Sequence, residues 1–152
     1  MNLSDQVCSL KTAKRLKELG VRQESLFFYQ NQPYDDGEDE MNILITEVRH
    51  ENNGNSIMNT YDKEEFEDQP TYSAFTVAEL GEMLPFQIKV KGKSYYYSVG
   101  QISPANQYMP RHEVNYSYGD ECIYLEREDT EANARAKMLI YLLENKLINL
   151  KQ

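Results

Sequence analysis

The segment from Phe75 to Pro85 places the tightest constraint on what this chain can fold into. Thr76 is followed three residues later by Glu79, the pattern of a capping box, and Phe75 and Leu80 stand where a hydrophobic staple needs them. A helix over 77–84 is expected to start there, and it has to stop before Pro85, whose ring cannot continue it. Directly afterwards, 86–90 and 94–99 alternate apolar and polar side chains around Lys91-Gly92-Lys93, a compact hairpin signal. Helix followed by hairpin predicts an α+β fold. Its parts are a small antiparallel sheet built from hairpins, packed by an N-terminal helix, a short middle helix and a C-terminal helix.

The flanks fill in this outline. Ser9 is a plausible N-cap for an apolar stripe at Leu10, Ala13, Leu16 and Leu19, closed by Gly20, with Val21 placed to pack back on the last turn. The runs 25–30 and 41–48 are rich in β formers, and the turn chemistry at 33–37 makes them an antiparallel pair. An Asn-rich loop at 52–55, a third strand at 56–61 and an exposed loop or ragged helical turn at 62–69 follow. The stretch 100–119, with Pro104, Pro110, Arg111 and His112, reads as a long irregular connection, a place where function often resides. A last strand is expected at 122–126. The C-terminal helix is capped by Asp129 or Thr130 and shows Ala132, Ala136, Leu139, Ile140, Leu143 and Leu147 on one face, with Leu139 and Leu143 central. A length of 152 residues fits one domain with one core.

The net charge of −9 is concentrated. Between Asp35 and Asp68 twelve acids face only Arg49 and Lys63, a local balance of −10 that leaves the rest of the chain near +1. A field of that sign repels nucleic acid and anionic membrane and attracts a protein partner with a basic surface. No run approaches the ~20 apolar residues that cross a bilayer, and the first ten residues lack a signal-peptide pattern, so a cytoplasmic location is expected. In that compartment Cys8 and Cys122 are expected to be free and reduced.

Few residues offer chemistry. His50 beside Arg49 and Glu51 reads as a solvated loop position, and His112, with Arg111 and Glu113, is the weak catalytic candidate because it lies in the long connection. The order Cys8, His50, His112, Cys122 has none of the short paired spacings of zinc sites. In the run Asp35-Asp36-Gly37-Glu38-Asp39-Glu40, an EF-hand frame puts Gln32 and Ile43 at ligand positions, so a solvated turn is the better reading. The N-terminal helix superficially matches the opening of a helix-turn-helix, but Leu26-Phe27-Phe28-Tyr29 cannot supply a polar recognition helix. No phosphate loop or nucleophile elbow is present, no cofactor or metal is expected, and the balance is against an enzyme.

Twelve tyrosines without a tryptophan are a better lead. On a strand Tyr95 and Tyr97 share one face and Tyr96 takes the other, and Tyr116 and Tyr118 fall in the long connection. Those left exposed suit a protein-binding surface. The expected binding residues are therefore Asp35, Asp36, Glu38, Asp39, Glu40, Tyr95, Tyr97, Tyr116 and Tyr118.

Two segments, Tyr72-Ser73-Ala74-Phe75-Thr76-Val77-Ala78-Glu79-Leu80-Gly81-Glu82-Met83-Leu84-Pro85 and Glu131-Ala132-Asn133-Ala134-Arg135-Ala136-Lys137-Met138-Leu139-Ile140-Tyr141-Leu142-Leu143-Glu144-Asn145, resemble short uncharacterised proteins of prophages and mobile elements in Bacteroides-like bacteria. The resemblance implies a bacterial cytoplasm and carries no activity or site. The expectation is a non-enzymatic, phage-related accessory protein that binds another protein through an acidic, tyrosine-bearing surface. The rivals are an acidic nucleic-acid mimic that inhibits a DNA-binding or defence protein, and a small-ligand binder or enzyme built on the 100–119 loop.

Overall fold

The computed structural model describes residues 3–32, 41–46, 71–102 and 111–150. After a short 3-10 turn, Leu3–Asp5, helix α1 covers Leu10–Glu18 and strands β1 and β2 cover Phe27–Gln32 and Met41–Thr46. Strand β3 is Thr71–Ser73, helix α2 is Val77–Met83, and four strands follow: β4 at Gln87–Val90, β5 at Lys93–Ile102, β6 at Arg111–Tyr118 and β7 at Glu121–Glu128. Helix α3, Glu131–Glu144, closes the series. The class is the expected α+β with N-terminal, middle and C-terminal helices, and the strands divide between two antiparallel sheets, ordered β2-β1-β3 and β4-β5-β6-β7.

The helix ends obey their local sequence. Ser9 caps α1, and Gly20 takes a φ of +83° as the chain leaves it, so that the Val21 amide donates back to the Leu16 carbonyl at 3.0 Å. At α2 both halves of the capping box form: the Glu79 amide donates to Thr76 Oγ1 at 3.2 Å, and the Thr76 amide to Glu79 Oε2 at 2.7 Å. Thr130 caps α3, accepting from the Asn133 amide. The β4–β5 hairpin turns on Lys91 and Gly92, with φ of +49° and +82°, the left-handed pair of a type I′ turn.

Helix α3 is the centre of the core. The expected stripe holds in its first half, where Ala132, Ala136 and Leu139 are buried, but Ala134, Met138 and Leu142 are buried as well, so two sides of the helix are enclosed. The small alanines let α2 and the four-stranded sheet approach closely. Leu143, expected at the centre of the stripe, is only partly buried, and Leu142 takes the central place. Phe75, Leu80, Leu16, Val114 and Tyr116 complete the core around α3. α1 is tied to α3 at both ends, by the Ser9 amide on Asn133 Oδ1 at 2.8 Å and by Arg15 on Glu144 at 2.7 Å.

Three expectations need revision. The 100–119 stretch is strand at both described ends, with 103–110 outside the described residues: β5 runs on to Ile102 and residues 111–118 form β6, because even-numbered Val114 and Tyr116 alternate onto the core face. β3 was not anticipated, since three residues carry too little pattern to be read. The strand over 25–30 starts two residues later, at Phe27, because Ser25 is held by bonds to Ala74 and Glu79. The expected features at 33–37, 52–55, 56–61 and 62–69 lie outside the described residues.

Candidate functional site

One face of the four-stranded sheet packs on the helices and the other carries no described element. Ile88, Tyr95, Val114 and Tyr116 point inward and are buried. Their strand neighbours point outward, since side chains alternate along a strand. Register places Gln87, Tyr96, Ser117 and Cys122 in one outward row and Ser98, Asn115 and Leu125 in the next, followed by Gly100, Glu113 and Arg127.

This outer face has an aromatic end. Phe86, just before β4, is 74% exposed, and its ring meets Tyr96, 40% exposed, edge-on at 5.8 Å. Pro85 ends α2 and starts the turn that delivers Phe86 there, so the same residue that stops the helix positions the ring. Leu125 is also exposed, and Arg127 lies along Glu113 at 2.9 Å across the strands.

The tyrosines named from sequence sort by burial. Tyr116 is wholly enclosed, its hydroxyl donates to the Pro85 carbonyl at 2.5 Å, and burial drives its pKa up, so its ring is a core element and offers nothing to a partner. Tyr95 is nearly as buried and donates to Glu121 at 3.1 Å. Tyr97 packs against Tyr116 at 5.6 Å beneath the Arg135 guanidinium, with a buried hydroxyl that lacks a partner among the described residues. Burial raises its pKa, and Arg135 opposes the rise. Tyr118, 57% exposed, remains available at the β6–β7 turn. Asp35, Asp36, Glu38, Asp39, Glu40 and His50 lie outside the described residues.

The catalytic candidates do not converge. Arg111, His112 and Glu113 are consecutive on β6, which sends His112 to the inner side and the other two to the outer one. His112 Nδ1 sits 3.9 Å from Glu131, Arg111 pairs with Asp129 at 4.0 Å, and Glu113 is engaged by Arg127. Among the described residues no three of His, Cys, Asp and Glu gather as a metal set. Cys8 is buried, which pushes its thiol up to about 11, whereas Cys122 is exposed, and both are free.

A cleft of about 950 Å³ lies elsewhere, between α2, β4, the chain at 20–24 and the tail at 147–150. None of Arg111, His112 and Glu113 lines it. Sequence reading missed both this cleft and the Phe86–Tyr96 pair. The alternation of Phe86, Ile88 and Val90 puts Phe86 on the side of the buried Ile88, so the pattern gives no sign that its ring is exposed.

No described helix is long and apolar enough to cross a membrane. Compared with protein-family models, curated proteins and solved structures, the chain matches none.

Proposed function

We propose that this chain acts without chemistry of its own, by binding another protein through the outer face of its four-stranded sheet. The observation that carries the reading is the Phe86–Tyr96 pair, two large rings exposed side by side on a rigid sheet with no described element over them. Rigid aromatic rings on a fixed backbone add contact area at small entropic cost. The acidic stretch between Asp35 and Asp68 fits a partner with a basic surface and would speed encounter. An accessory role for a phage or mobile element in a bacterial cytoplasm belongs to the same reading. Affinity capture from a bacterial lysate tests it, using the wild type and a Phe86→Ser, Tyr96→Ser double variant. A protein retained by the first and lost from the second is expected; identical captures would defeat the reading.

A further inference from the structure

The cleft bears on how such a partner is held. Gln87, Ile88 and Lys89 all line it. Consecutive strand residues point to opposite faces, so a cavity that touches all three lies along the edge of β4. β4 is the terminal strand of its sheet. In a hairpin closing on Val90 and Lys93, hydrogen-bonded pairs recur at every second residue, and the Tyr97 amide donates to the Phe86 carbonyl at 2.9 Å, in phase with Ile88–Tyr95 and Val90–Lys93. The amides and carbonyls of Gln87 and Lys89 therefore point away from β5, toward the cleft, where they meet no partner among the described residues.

We propose that this cleft takes an extended segment of a partner protein, which joins β4 as an added strand. The inference rests on the protein-binding reading and supplies its docking mode. Unpaired edge groups beside a groove are what strand addition needs: backbone bonds hold the segment, and the walls select its side chains. Those walls differ. Val21, Ile148 and Leu150 offer apolar surface, while α2 presents the exposed Glu82, the Glu79 carboxylate being taken up by Ser25, Leu26 and Thr76; Arg22 and Glu24 neutralise each other at 2.6 Å. Every second residue of the segment that fits turns to the helix side of the sheet, where the tail takes apolar side chains and Glu82 takes Lys or Arg, and the residues between them face the open side. At about 3.4 Å per residue, the four residues of β4 pair with about four of the partner.

The test uses short random peptides displayed on phage and selected on the wild-type protein. Selected peptides are expected to combine apolar residues and Lys or Arg at every second position, and a synthetic copy should slow amide exchange at Gln87 and Lys89. Lys89→Pro, which removes an outward amide, should weaken that peptide about tenfold or more, whereas Lys89→Ala, which keeps it, should not. Failure to select any peptide overturns the proposal. So does a peptide that binds without slowing those two amides, a readout on the wild type that stands even if Lys89→Pro fails to fold. A partner captured through Phe86 and Tyr96 that leaves the Gln87 and Lys89 amides exchanging freely removes strand addition alone and leaves the protein-binding reading intact.

Discussion

Leu142 has no exposed surface, while its neighbour Leu143 keeps part of its side chain in solvent. Leu142→Ala should cost about 2–5 kcal/mol, the range for emptying an enclosed leucine site, and Leu143→Ala distinctly less. Denaturant melts of the two variants check the order; an equal or reversed cost would place the core on the other side of α3. Gly81 carries a subtler balance. A Cβ there would run into the Arg135 guanidinium, which donates to the Val77 carbonyl and lies over the Tyr97 ring. Gly81→Ala therefore gives up that placement, which offsets the ~1 kcal/mol that alanine gains over glycine inside a helix. In an Arg135→Met background the same substitution should stabilise by about 0.5–1 kcal/mol, read by thermal melts of all four proteins. A gain of the same size in both backgrounds would show that Arg135 does not occupy the space.

At the level of elements, legibility followed the strength of local signals. Thr76 with Glu79, Ser9, Gly20, and Lys91-Gly92 are each a short-range requirement of the backbone, and each appears where the sequence put it. β6 was read as loop because its start, Arg111-His112-Glu113, is charged and lies next to Pro110, so the alternation that begins at Val114 had too few residues to stand out. The charges are tolerated because they sit at the far end of the strand, beyond the buried Val114 and Tyr116. Three of the four named tyrosines turn inward for a related reason, while Tyr118 stays exposed: which face of a strand is buried depends on what packs on it, and α3 chose the face of Tyr95, Tyr97 and Tyr116. The hairpin turn invites a direct check. Lys91 occupies a left-handed conformation that asparagine adopts more readily, so Lys91→Asn should raise stability by a few tenths of a kcal/mol. A loss on substitution, measured by urea unfolding, would mean that the lysine side chain matters more than its backbone.

Across the whole molecule, buried weak acids predict how stability responds to alkali. Burial pushes the Cys8 thiol from 9.0 to about 11, and the Tyr29 and Tyr124 hydroxyls from 10.0 to about 12. The unfolded chain then releases these protons first, so their stabilising effect is complete below pH 9, shrinks as pH rises, and is exhausted above about 12. Denaturant midpoints should fall steadily from pH 9 upward, and Cys8→Ala should flatten the part of the fall between 9 and 11. A flat profile would show these groups to be solvated. The same interior leaves Phe86 and Tyr96 outside it, and on that contrast the functional account stands. Its most direct test is the affinity of a partner recovered by capture, titrated by calorimetry against the wild type and the Phe86→Ser, Tyr96→Ser variant, with matched melting curves. The account predicts binding at least about tenfold weaker in the variant at unchanged fold, corresponding to the ~1.4 kcal/mol that one exposed aromatic anchor readily supplies. Equal affinity for the two proteins would contradict it.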